Sequence, residues 1–146
     1  MTIHRLFSKD PNDEEENVTQ NIYVFRFILF CIIVYSFEML LNSVDIFIVD
    51  KTIFTRGYVT GCLFAAVYVL ILLHLGLEHP LTKYVSITAV SLIIMAASVS
   101  LTYHMIIIIM MPIIIAGMYT SKQLSIYTFV LTVLSIIIST YAGYYY

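Results

Sequence analysis

A polytopic all-α bundle with about five membrane-crossing helices is the fold class this sequence predicts, and three observations predict it. Hydrophobic residues make up 61% of the 146 residues and charged residues 11%, giving a mean hydropathy of +0.97, too high for a soluble domain of this length. Five stretches approach the ~20 apolar residues that a helix needs to cross a ~30 Å hydrocarbon core. The intervening breaks are short and polar, so helices rather than a barrel are implied.

Residues 1–22 precede the first of these stretches and form an acidic tail. Asp10, Pro11, Asn12, Asp13, Glu14, Glu15 and Glu16 follow one another without apolar periodicity, so the tail reads as disordered or loosely helical and cytoplasmic. The charge ahead of the first apolar stretch is acidic rather than basic, and no small-residue cleavage site follows. No signal peptide is implied, and the first span is retained.

The transmembrane domain then covers residues 23–146, with the first span at about 23–41, the second at about 58–77 and the third at about 84–101. From Tyr84 to Tyr119 the run contains no Asp, Glu, Lys or Arg, and its main polar break is Ser100, Thr102, Tyr103 and His104. A single helix of that length overshoots the bilayer, which predicts a tight hairpin near Thr102 to His104 and a fourth span at about 105–119. Pro112 lies in the middle of that span, lacks an N–H and frees the carbonyl of Ile108, which predicts a helix kink. Ser121, Lys122 and Gln123 interrupt the pattern before a fifth span at about 124–146, which ends in the interfacial cluster Tyr144, Tyr145 and Tyr146.

Orientation follows from the cations near span ends. Arg5, Lys9, Arg26, Lys83 and Lys122 fall on one side and Lys51 and Arg56 on the other, which places the N-terminus in the cytoplasm. Five crossings then put Tyr146 outside, where a cytoplasmic domain cannot attach directly, so the chain is expected to be truncated before a sixth span. The net charge of -2, with its acidic share in the tail, leaves no basic patch to track a phosphate backbone, and nucleic acid is not an expected partner. Cys31 and Cys62 lie inside spans and read as buried thiols.

Packing signals are stronger than chemical ones. Gly57, Gly61 and Ala65 recur every fourth residue on the second span, and Ser135, Ser139 and Gly143 do so on the fifth. Such stripes let helices approach closely, within the bundle or in a homodimer. Thr128 and Thr132 extend the small polar face of the fifth span. Met105, Met110, Met111 and Met118 read as adaptable packing residues of the fourth.

Ionisable groups within spans are the functional candidates. Arg26 is close enough to the cytoplasmic end of the first span to extend its head group into the interface. Glu38 sits one turn inside the outer end of that span, at the level where His104 caps the predicted hairpin. Glu38, His104 and Tyr103 are therefore the candidate ligand-binding residues, against the simpler reading of separately solvated interfacial side chains. His74 and Glu78 share a helical face with His79 following, but two or three ligands without a fourth do not make a metal site. The segment with Asp45, Asp50, Lys51 and Arg56 among Val44, Ile46, Phe47, Ile48 and Val49 predicts a short amphipathic element resting on the membrane surface. No nucleophile with a base, no phosphate-binding glycine loop and no cofactor motif occurs, so catalysis by these residues is not expected and no cofactor is implied.

Tyr103-His104, the apolar run into Pro112, the segment from Ala116 through Lys122 to Thr128, and Gly143-Tyr144-Tyr145-Tyr146 resemble the multi-span N-terminal region of clostridial membrane diguanylate cyclases. The resemblance spans about 101–146. In that family a bundle of about six helices, of the kind counted by span length, precedes a cytoplasmic GGDEF domain. The resemblance implies a sensory input module in a bacterial cell membrane whose output is cyclic di-GMP. It implies no catalytic residue here, because the GGDEF motif and the sixth span are absent from this sequence.

The expected function is therefore a membrane sensor module of a bacterial signalling protein, with the lipid bilayer, a second copy and a small-molecule ligand as expected partners. A small-solute transporter component is the alternative, with Glu38, His104 and the Pro112 break lining the substrate path. The sequence shows neither an internal repeat nor a mid-membrane charge for that role. A structural membrane protein without a ligand is the third reading.

Overall fold

The computed structural model describes residues 16–46, 49–101, 106–119 and 121–145, and among them the secondary structure is entirely helical. Four long helices are α1 (Glu16–Ser43), α2 (Lys51–Leu75), α3 (Thr82–Leu101) and α6 (Lys122–Tyr145). Between α3 and α6 lie two short ones, α4 (Ile106–Ile109) and α5 (Met111–Gly117). The four long helices are each long and apolar enough to cross a membrane. Their exposed faces carry large apolar side chains such as Phe30, Ile33, Phe37 and Leu40 on α1, as expected of surfaces in contact with lipid.

α3 is the central helix. Of its apolar stretch 61% is buried, against 17–28% for the other three long helices. Its sequence explains the position: Ser86, Ala89, Ser91, Ala96, Ser98 and Ser100 are small and buried, so neighbouring backbones can come close. α2 packs on it most extensively and α6 next. α1 and α2 run antiparallel, because Ser36 meets Tyr58 and Phe25 meets Tyr68. α2 and α3 are antiparallel too, since Tyr35 and Gly57 gather at Ser100 while Tyr68 reaches Ser86.

α6 begins beside the start of α3, with Tyr127 against Tyr84 and Thr88. Its buried residues Leu124, Thr128, Thr132, Ser135 and Ser139 continue along its length, so α3 and α6 run parallel. The chain between Leu101 and Tyr119 must return from one end of the bundle to the other. α4 and α5 contribute about 17 Å of that path at ~1.5 Å per residue.

Several element boundaries differ from the sequence expectation. The tail expected to be disordered or loosely helical through residue 22 is part of the first long helix from Glu16, where Val18 and Ile22 stand four apart on one face and are buried in the core. The surface element expected around Lys51 and Arg56 is the first part of α2. Asp50 caps it, its carboxylate accepting from the backbone N–H groups of Thr52 at 2.9 Å and Ile53 at 3.0 Å. The region expected as one span at about 105–119 forms the 4-residue α4 and the 7-residue α5, separated at Met110. Pro112 occupies the first turn of α5, where its missing N–H has no helical partner to lose. The hairpin expected at Thr102 to His104 lies outside the described residues.

Gly76 closes α2 with φ 84° and ψ 167°, and its N–H donates to the Leu72 carbonyl at 2.9 Å. That backbone region is nearly restricted to glycine. The Gly76 carbonyl in turn accepts from the Thr82 hydroxyl at 2.7 Å, joining the end of α2 to the start of α3.

Candidate functional site

Two polar clusters lie at opposite ends of the bundle, and both engage α2 and α3. At the end bearing the α1–α2 connection, the Tyr35 and Ser100 hydroxyls are 2.9 Å apart and buried. Phe54 and Tyr58 stack edge-on against the Tyr35 ring at centroid distances of 5.3 and 5.4 Å, and the Tyr58 hydroxyl is 2.9 Å from that of Ser36. Gly57 makes this possible: a Cβ there would collide with the Ser100 hydroxyl and come within 2.8 Å of the Tyr35 oxygen.

At the opposite end Asn21, only 1% exposed, ties three segments together. Its amide nitrogen donates to the Leu77 carbonyl and its amide oxygen accepts from the Tyr119 hydroxyl, each at 2.8 Å. Tyr119 lies beside Tyr68 and Ser86, whose hydroxyls are 3.1 Å apart. Gln20 donates its amide to the Met118 carbonyl one residue earlier in the same turn. The start of α1, the α2–α3 connection and the approach to α6 are thus held by polar bonds inside an apolar surround, where each is expensive to lose.

The residues singled out from sequence are distributed unevenly. Glu38 is half-buried on α1, within electrostatic reach of Tyr35. Its expected companions His104 and Tyr103 lie outside the described residues. Gly57 and Gly61 both face Tyr35, and Ser135 and Ser139 are buried on α6. Ala65 packs against the core, and Gly143 belongs to the last turns of α6. Cys31 and Cys62 are half-buried rather than enclosed, because both helices present wide faces outward. Of the expected packing methionines, Met110 and Met118 are exposed, Met111 packs against the core and Met105 lies outside the described residues.

His74, Glu78 and His79 are exposed, and His79 Nδ1 accepts from the Leu81 N–H at 3.2 Å. Among the described residues no three of His, Cys, Asp and Glu converge as metal ligands would. The residues that sequence reading missed are Asn21, Tyr35, Tyr68, Ser86, Ser100 and Tyr119. Asn21 was hidden in the acidic tail. Its spacing one residue from Ile22 and three from Val18 was the available signal that a polar group accompanies a buried face.

A groove of about 250 Å³ opens between α2 and α3 beside the Tyr35–Ser100 cluster, lined by Arg56, Gly57, Thr60, Phe64, Met95 and Val99 among others. No family model matches the chain, and neither a curated protein nor a solved structure does.

Proposed function

We propose that the chain is the membrane-embedded input module of a bacterial signalling protein, multi-pass in the cell membrane with the Glu16 end of α1 toward the cytoplasm. The observation that carries the reading is the placement of two polar clusters on the same helix pair. Gly57 of α2 meets Ser100 of α3 at one end, with Tyr35 of α1 bonded to the same hydroxyl, and Tyr68 of α2 meets Ser86 of α3 at the other. Between them the helices pack through small residues, so a rotation at one end is resisted, or passed on, by directional bonds at the other.

In this reading a stimulus acts at the α1–α2 end, with Glu38, Tyr103 and His104 as the proposed ligand contacts. The Asn21 cluster lies at the cytoplasmic end, on the side that holds Arg26, Lys83 and Lys122. A diguanylate cyclase is the proposed output, by the resemblance over residues 101–146. The small-solute transporter reading draws on a different observation, the break at Met110 between α4 and α5, since interrupted helices line substrate sites in transporters.

The test begins with the coding frame beyond Tyr146, expected to continue into a further apolar span and a GGDEF domain. Cellular cyclic di-GMP is then expected to change when Glu38→Gln is introduced. A stop codon there, combined with solute uptake by proteoliposomes containing this chain alone, favours transport and overturns the signalling reading.

A further inference from the structure

We infer that the groove between α2 and α3 is a binding site for one anionic phospholipid from the leaflet at the α1–α2 end of the bundle. The inference rests on the bilayer placement of the helices and not on the signalling reading. Two concavities share Arg56 and Thr60. One is the apolar groove that runs past Gly57 to Phe64 on α2, walled by Met95 and Val99 on α3. The other is a more open hollow on the first turns of α2, its surface also mostly apolar, with Lys51, Thr52 and Thr55 among its lining residues. Together they offer an acyl chain an apolar bed with cations and hydroxyls at its outer end.

Length and charge agree with that occupant. Arg56 and Phe64 are eight residues apart on one helix, about 12 Å at ~1.5 Å per residue. That is close to the depth of one leaflet, half of a ~30 Å hydrocarbon core. Arg56 is exposed, and among the described residues no carboxylate pairs with it. Lys51 is already engaged by Asp45 at 2.7 Å, so Arg56 is the cation free to meet a phosphate. Gly57 sets how closely the two walls approach at the groove's base, since a Cβ there would collide with Ser100 of α3.

The purified full chain, delipidated and returned to nanodiscs, is examined by native mass spectrometry for retained phosphatidylglycerol against phosphatidylcholine of the same acyl composition. Retention of phosphatidylglycerol is expected to be about fivefold greater, the preference that one interfacial cation confers. Arg56→Gln is expected to abolish the preference, Arg56→Lys to keep most of it, and Lys51→Gln to leave it unchanged. Val99→Trp, which fills the groove without touching the cation, is expected to lower retention of phosphatidylglycerol. Equal retention of the two lipids by the unaltered chain, or a preference that survives Arg56→Gln, overturns the inference. Variants are compared after thermal unfolding shows that they fold, and the Arg56→Lys and Arg56→Gln pair decides the case if Val99→Trp does not.

Discussion

The Tyr119 hydroxyl donates to the Asn21 amide oxygen across 2.8 Å although 98 residues separate them, and the other end of that amide holds the Leu77 carbonyl. One side chain therefore joins the first helix to two later connections. Asn21→Ala strands both partners in a buried site and is expected to cost about 1–3 kcal/mol. Tyr119→Phe leaves the Leu77 bond in place and is expected to cost about 0.5–1.5 kcal/mol. The double variant should lose less than the sum, because the two residues share one bond. Thermal unfolding in detergent, followed with a thiol-reactive dye on Cys31 and Cys62, measures all three, and strict additivity would show that the bond contributes nothing.

Two glycines one turn apart on α2 should respond in opposite ways. At Gly57 an added methyl meets Ser100 and Tyr35, whereas at Gly61 the nearest atom is Tyr35 Cε1 at 3.5 Å, an ordinary contact. Gly57→Ala is expected to destabilise by about 1–3 kcal/mol through overpacking. Gly61→Ala is expected to be neutral or stabilising by up to about 1 kcal/mol, the gain in helix propensity. The same unfolding assay distinguishes them, and equal losses would mean that the close approach at Ser100 is not the determinant.

Gly76 tests the connection rather than the core. Nothing crowds a Cβ at this position, so any penalty in Gly76→Ala comes from the backbone at φ 84°. A loss of about 1–3 kcal/mol is expected. Amide exchange should rise first at Thr82 and Leu77, where the connection is held, and unchanged protection there would argue that the turn re-forms in another conformation.

Asp50 governs where α2 starts. Asp50→Ala removes acceptors for two backbone N–H groups and is expected to cost about 0.5–2 kcal/mol, while Asp50→Ser retains most of the stability. Exchange at the amides of Thr52 and Ile53 reports the change, and those amides should be the most affected in the chain.

The long helices were legible because a run of apolar residues the width of a bilayer has few other uses. Their starts were less so. Glu16 to Ile22 read as a continuation of the acidic run, yet the Val18 and Ile22 face and the two amides beside it belong to the bundle. Asp50 and Lys51 read as part of a separate surface element because charges alternate there with apolar residues, although an aspartate is a good N-cap and here starts the long helix α2. The hydroxyl and amide clusters could not be read at all, since Tyr35, Ser100, Tyr68 and Tyr119 meet only through tertiary packing. Glu38 drew attention as the conspicuous charge, while the buried order around it is carried by uncharged groups.

The interruption between α4 and α5 bears on how the protein is made. Neither piece, at four and seven residues, can leave the insertion machinery as an independent membrane helix. At the break the Met110 carbonyl accepts from the N–H groups of Ile113 and Ile114, so α5 satisfies it locally. The packing surfaces for both pieces are supplied by α3, already synthesised, and by α6, synthesised afterwards. Biogenesis should therefore hold this segment back until Lys122 and the residues after it emerge, making the last long helix a condition for the one before it to settle.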